Sequence, residues 1–389
     1  MKIGIASPIE INSLKNHLEN LSEFDLSLGL GGTAVNLIIL GLLSQGHSVV
    51  VFTLDAKVEK KHILKGPHLK IVIGHFRNKS KLKWFDFCRH EYKQIQYFIE
   101  QEKENIDIVN AHWSYEFAIG TILAKVPHLI TFRDYAPTIL KLTHYHPYRF
   151  FRLLMDYWVR KNGDNLSYNS IYLKEKIKLS GDVIPNPVKD DNIKNTRKYP
   201  CEKKIIDICF IANGWGHLKN PENAINGFFK AHEEIKNIRL NLIGSGYENN
   251  AEHLQKYIND KQGKSIVCWG KLTHIELIDK LSNFDILLHT SREESFGNNI
   301  IEAMAAGIPV IAGKNSGAVP WVCENGKSGL LVDVENTTDI ANAIKELVLN
   351  SEKYETFSKR GIENVKSRFT INNVAQQYIS RFKIIINGN

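Results

Sequence analysis

Apolar and polar positions along the chain form one pattern that runs twice. In the first half KIGIA, GHSVVVFT, LKIVIGHF, IDIVNAHW and PHLITFRD are apolar runs of strand length, and DNLSYNS and GDVIPNPV continue the series. In the second half IIDICFIA, IRLNLIG, SIVCWG, FDILLHT, IPVIA and GLLVDV repeat it. Helical stretches lie between: one from about Thr33 closed by Gln45-Gly46-His47, one opening at Pro221, and NIIEAMAAG, in which Ile300, Ile301 and Met304 share an apolar side before Gly307 and Pro309. Two further helices are predicted over 351–368 and 371–386. Such alternation predicts an α/β fold of two Rossmann-like, doubly wound parallel-sheet domains facing a central cleft. Pro185, Pro187 and the charged run Lys189–Lys204 read as a linker. The expected division is 1–188, a linker at 189–204, 205–368, and a terminal segment 369–389.

Composition narrows the class. At 389 residues, 43% hydrophobic and 24% charged, the chain suits two soluble globular cores. No apolar run reaches the roughly 18 residues of a membrane span, and MKIGIASPIE turns polar too early for a signal peptide. Five scattered cysteines without a CxxC pair argue against a disulfide framework or a zinc site, so a cytoplasmic setting is expected. The net charge of +8 is lopsided: residues 1–200 hold 28 Lys+Arg against 20 Asp+Glu, and the rest balance. A basic half predicts an anionic partner: nucleic acid, anionic lipid headgroups or a phosphorylated substrate. No nucleic-acid-binding module supports the first. KSKLKWFDFCRHEYK and HYHPYRFFRLLMDYWVRK mix basic and aromatic residues, which fits either a membrane-surface segment or a solvated helix face with a packed aromatic side.

Candidate chemistry concentrates in FDILLHTSREESFGNNIIEAMAAGIPVIA (284–312), a strand–loop–helix–strand unit. Glu294 stands in its loop and Glu302 in its helix, one turn beyond Asn298 on the same face. Either they are solvated surface charges or they accept from adjacent sugar hydroxyls beside a helix start that takes phosphate oxygens. Lys219, at the edge of the helix that opens at Pro221, can add a point charge to such an anion. Gly29, Gly31 and Gly32 form a turn that matches neither GxGxxG nor a P-loop; tight packing and close approach to a ligand both explain it. His112, Arg133 and Asp134 end two neighbouring strands, where open α/β sheets bind ligands, although a lone histidine is often a satisfied core residue. A ligand with phosphates and hydroxyls, a nucleotide sugar, fits these groups together.

The ordered set GLGGTAVNL…GHSVVVFT, DIVNAHW, VIPNPV, LNLIGSGYE, VCWGKL and EESFGNNIIEAMAAGIPVIA…SGLLVD resembles the retaining glycosyltransferases of family 4, with the GT-B fold, over nearly the whole chain. The resemblance implies that Glu302 holds the ribose, Glu294 the donor sugar, and Ser295, Phe296, Gly297, Asn298 and Asn299 the sugar and phosphates. It implies that Lys219 neutralises the leaving pyrophosphate, Gly31 and Gly32 approach it, and Cys268–Gly270 meet the base. Gly244 belongs to the same donor site. His112 would stand near the anomeric carbon, making His112, Lys219 and Glu294 the catalytic set, with Arg133 and Asp134 on the acceptor side. The last helix would cross back to the first domain. Catalysis without a metal or cofactor, by stabilising the departing diphosphate on the front face of the sugar, is the implied chemistry. The implied partners are a UDP- or GDP-sugar and a saccharide or lipid-linked saccharide acceptor, at an anionic inner-membrane surface. A GT-B epimerase, a phosphorylase and a nucleotide-sugar-binding relative of weak activity are the alternatives. Asn213 and Gly214 occupy positions where relatives carry an arginine, leaving His217 or Arg292 to supply that charge; Arg133 replaces a common histidine, and Trp321 a common glutamate.

Overall fold

The computed structural model describes residues 1–78, 81–260 and 265–388; Lys79 and Ser80 of the first basic–aromatic segment lie outside them. The chain divides into two compact units, Met1–Pro187 with Ile371–Asn389, and Val188–Thr370.

In the first unit, strands β1 (Lys2–Ala6), β2 (Ser48–Asp55), β3 (His62–Lys65), β4 (Leu69–His75), β5 (Ile108–His112), β6 (His128–Phe132), β7 (Leu166–Tyr168) and β8 (Asp182–Val183) form one sheet in the order β3-β4-β2-β1-β5-β6-β7-β8. Every pairing is parallel except β3 with β4. The central strands are buried on both faces, which is why they read as continuous apolar runs. The helix Thr33–Ser44 covers one face, and the terminal helix Ile371–Asn387 packs on it: a Cβ at Gly41 would stand 2.7 Å from Ile371, so only glycine allows this approach.

In the second unit, β9 (Ile206–Ile211), β10 (Ile238–Ile243), β11 (Ile266–Gly270), β12 (Ile286–His289), β13 (Val310–Gly313) and β14 (Leu330–Val332) form a wholly parallel sheet in the order β11-β10-β9-β12-β13-β14. Its helices bury one core cluster around Phe210, Phe228 and Tyr354 and another around Leu287, Ile300 and Phe369.

Residues 189–204 are not a free linker. Lys194 N–H donates to the Ala305 carbonyl (2.8 Å), and the Arg197 guanidinium donates to the carbonyls of Ala306 (2.9 Å) and Phe284 (2.6 Å). The bonds to Ala305 and Ala306 satisfy carbonyls at the C-terminal end of the helix 298–305, and together with that to Phe284 they tie the charged run into the second unit. The crossovers fall at Pro187/Val188 and Thr370/Ile371, so Val188, Phe369 and Thr370 belong to the second unit, against the boundaries expected. Among the described residues, no helix is long and apolar enough to cross a membrane.

Candidate functional site

In the second unit the strand order reverses between β9 and β12, and the carboxyl ends of strands at such a switch point are where open α/β sheets bind ligands. The loop after β9 carries Lys219 and the loop after β12 carries Glu294. Lys219 Nζ stands 2.6 Å from Glu294 Oε1, and His289 Nε2, on the last residue of β12, lies 3.5 Å from the same oxygen. Burial alone would raise the Glu294 carboxyl, but the His289 hydrogen bond and the Lys219 charge outweigh it and hold the group well below the usual carboxylate range.

Backbone bonds fix both loops. Lys219 N–H donates to the Gly216 carbonyl (3.0 Å), Thr290 Oγ1 donates to the Asn220 carbonyl (2.9 Å), and the Asn220 amide donates to the Val334 carbonyl (2.9 Å). The Glu294 carbonyl accepts from Ala318 N–H at 2.9 Å. This closeness demands Gly317, whose φ is +60° and whose Cβ would lie 2.3 Å from that carbonyl.

Ser295, Phe296 and Gly297 lead into the helix Asn298–Ala305. Phe296 is buried edge-on against Trp321 and Phe369, and Gly297 starts the helix without a side-chain cap. The Asn299 amide donates to the Ile211 carbonyl at 3.0 Å, which pins the helix start to the end of β9. One turn on, Glu302 Oε1 lies 2.8 Å from His274 Nε2. His274 opens the helix His274–Leu281, fixed by a Thr273–Glu276 capping box.

The remaining residues expected on the donor side gather at the ends of β9, β10 and β11. Asn213 Oδ1 accepts from Ser245 N–H (3.2 Å), Gly214 N–H donates to the Ser245 carbonyl (2.8 Å), and Gly244 N–H donates to the Gly270 carbonyl (2.8 Å). Cys268 is half-buried on β11, and burial pushes its thiol up to about 11. Arg292 donates to the His217 carbonyl and pairs with Glu335 (2.5 Å), so its charge is already engaged. His217 and Arg292 line a pocket of about 200 Å³ with Trp215, Asn220 and Glu222.

The first unit has its own switch point, between β1 and β5. Gly31 and Gly32, both with positive φ, directly precede the helix Thr33–Ser44, and a Cβ at Gly32 would stand 2.2 Å from the carbonyl of Pro8, just past β1. His112 ends β5 and is fully buried. The Arg133 Nε–H donates to His112 Nδ1 at 3.1 Å, and Arg133 also donates to Asn186 Oδ1 at 2.6 Å. Because a guanidinium only donates, Nδ1 must accept and the imidazole proton rests on Nε2. Arg133 is itself buried, and so acts on His112 from within the unit rather than from an exposed face. Asp134 accepts from the Tyr115 hydroxyl at 3.1 Å, and burial pushes its carboxyl up to about 6, against the lowering effects of Arg152 and Tyr115.

Burial, followed by the Arg133 charge, holds the His112 imidazole well below its ordinary range. The folded chain therefore keeps it neutral where the unfolded chain, near pH 6.5, takes up a proton. On this account stability is complete above that pH and falls below it by up to about 1.4 kcal/mol per pH unit. Chemical unfolding between pH 5 and 8 should show the stability advantage of wild type over His112→Gln narrowing as pH falls. A pH-independent difference would mean that the folded imidazole binds protons as the unfolded one does, and a widening difference that it is held protonated.

The strand-end pattern thus brings together Lys219 with Glu294, and His112 with Arg133. It did not single out His289 or His274. His289 ends an apolar run as His112 does, so the same rule marks it. His274 lies 28 residues from Glu302 with no local signal linking the two.

Two doubly wound units, each with its polar groups at the carboxyl ends of the strands, define the GT-B class. The fold matches sucrose-phosphate synthase from Thermosynechococcus elongatus (TM-score 0.77, 17% identity, 100% of both chains). It also matches Anabaena HepE in complex with UDP and glucose (TM-score 0.70, 16% identity, 98% of this chain and 99% of that one). The model for "Glycosyl transferases group 1" matches residues 192–364, and that for "Glycosyltransferase Family 4" matches residues 31–192. The chain belongs to the group 1 glycosyltransferases. It is 29% identical to N-acetyl-alpha-D-glucosaminyl L-malate synthase of Bacillus anthracis over 46% of this chain, spanning 44% of that relative's length. It is 26% identical to an uncharacterized glycosyltransferase of Methanocaldococcus jannaschii over 75% of this chain and 79% of that one. With the capsular polysaccharide biosynthesis glycosyltransferase CapM of Staphylococcus aureus, identity is 27% over 46% of this chain and 47% of the relative.

Proposed function

We propose that this glycosyltransferase moves a sugar, with retention and without a metal, from a UDP- or GDP-sugar to a saccharide or lipid-linked saccharide in bacterial surface polysaccharide or lipopolysaccharide synthesis. The observation that carries the donor reading is the Glu294 carboxylate, kept ionised at the switch point by Lys219 and His289. An ionised carboxylate accepts hydrogen bonds from adjacent hydroxyls, and a neighbouring ammonium meets a diphosphate, so one pair serves both ends of a nucleoside-diphosphate sugar. Glu302, oriented by His274, is suited to the ribose hydroxyls. In this reading Glu294 holds the sugar rather than attacking it, and the leaving phosphate helps deprotonate the acceptor. The relative named for capsular polysaccharide biosynthesis supports the acceptor class.

A thermal-shift screen of UDP, GDP and their sugars tests the donor. A nucleotide at a hundredfold excess over its Kd adds about 2.7 kcal/mol to the folded state. No shift with any of them would overturn the reading. Release of the nucleoside diphosphate only when acceptor is present separates transfer from epimerase or phosphorylase activity. The anomeric coupling of the product decides retention, and an unchanged rate after chelation is expected.

A further inference from the structure

The first unit carries a feature that sugar transfer does not use. The helix Pro147–Asn162 buries Met155, Asp156 and Val159, yet another of its faces is also apolar. Phe150, Leu154 and Tyr157 recur at spacings of four and three, so they form one stripe, and they are 50%, 40% and 67% exposed. The short helix Leu82–Phe85 packs beside it. Phe85, 70% exposed, and Phe87 both meet Phe151 edge-on (ring centroids 5.9 and 5.5 Å), and Phe151 meets Phe150 (6.2 Å). Scattered single apolar residues are ordinary on a protein surface, but a connected exposed aromatic surface is not.

Its charge is one-signed. The three acidic residues of 81–93 and 147–162 are each taken up by arginine: Arg77 holds Asp86 (2.9 Å) and Glu91 (2.6 Å), and Arg160 faces Asp156 (2.5 Å). Lys81, Arg89, Lys93 and Lys161, on the same two segments, remain exposed. Arg89, Lys93 and Tyr97 line a shallow groove of about 450 Å³ that begins at Asp86, within the aromatic segment itself.

We propose that this face docks on an anionic lipid bilayer. Phe85, Phe87, Phe150, Leu154 and Tyr157 enter the boundary between headgroups and acyl chains, while the surrounding lysines and Arg89 meet lipid phosphates. Apolar side chains rimmed by cations match a surface that is negative outside and apolar just beneath. A protein–protein interface would be depleted of lysine. The inference does not depend on which sugar is transferred, or on transfer at all.

Flotation of the whole chain with vesicles tests it, comparing phosphatidylcholine alone with phosphatidylcholine containing one-third phosphatidylglycerol. Wild type should float with the anionic vesicles at low salt and lose affinity as salt rises. The Phe150→Ser, Leu154→Ser, Tyr157→Ser triple variant should bind more than about tenfold more weakly. Arg89→Gln and Lys93→Gln should each cost about fivefold. Phe85→Ser, on a separate element, supplies the apolar test if the triple variant fails to fold. A nucleotide-induced thermal shift unchanged in these variants shows that the donor site is intact and keeps the two proposals separate. No flotation, equal binding to neutral vesicles, or binding indifferent to these substitutions overturns the proposal. So does self-association that the serine variants abolish, in a chain that ignores vesicles.

Discussion

Glu294→Gln should lower kcat/KM for transfer by about a hundredfold while leaving the affinity for the bare nucleoside diphosphate unchanged or tighter. The two effects part because Glu294 has two neighbours with different roles. In the proposed donor reading it offers charged acceptor oxygens to the sugar, and hydrogen bonds to a charged group contribute about 1.5–3 kcal/mol each. Toward Lys219 it is a counter-ion 2.6 Å away that draws the ammonium from any phosphate. Glutamine keeps the shape, removes the charge and releases the lysine. Calorimetry with whichever of UDP or GDP stabilises the chain, alongside steady-state transfer rates, checks the split. An equal loss in both would make Glu294 a structural anchor of the loop. The pH sign is definite: the folded carboxyl lies below its unfolded value, so the pair stabilises fully above about pH 4.3 and loses that contribution only as pH falls toward the folded value.

Local periodicity made much of this architecture legible. The unit at 284–312 folds as its pattern dictates, because a strand buried on both faces reads as an apolar run and Gly307 with Pro309 ends the helix. The edge strand His62–Lys65 had no such signal: only one of its four residues is buried, so nothing in HILK separates it from a charged loop. The run 189–204 misled because lysines and prolines mark linkers by composition, whereas Arg197 uses its charge to cap carbonyls about a hundred residues away.

Site residues divide along the same line. Lys219 and Glu294 stood out because each sits where a strand hands over to a helix, and sheet order then places both at the switch point. The partners that set their chemistry are tertiary. Arg133 fixes the His112 tautomer across adjacent strands, and its side chain turns inward, a direction that its place after β6 does not reveal. Arg292, at a position suited to a phosphate, is held by Glu335 from beyond β14.

Lys219→Ala should cost more than the Glu294 substitution, about 10² to 10³ in kcat, with the bare diphosphate binding about tenfold more weakly. Without the ammonium, the Glu294 carboxylate keeps only His289 against its burial, so its pKa rises toward the ordinary range and the site presents negative charge to a negative ligand. Arginine should rescue part of the diphosphate affinity but not the rate, because its planar fork does not reproduce a compact point charge at 2.6 Å from one carboxylate oxygen. The double variant Lys219→Ala/Glu294→Gln isolates the coupling. If the pair acts as one unit, removing the carboxylate relieves much of the repulsion that the alanine creates, and diphosphate affinity recovers toward that of Glu294→Gln. Simple multiplication of the two single losses would mean that the ion pair is a resting contact and that each side chain meets the donor alone.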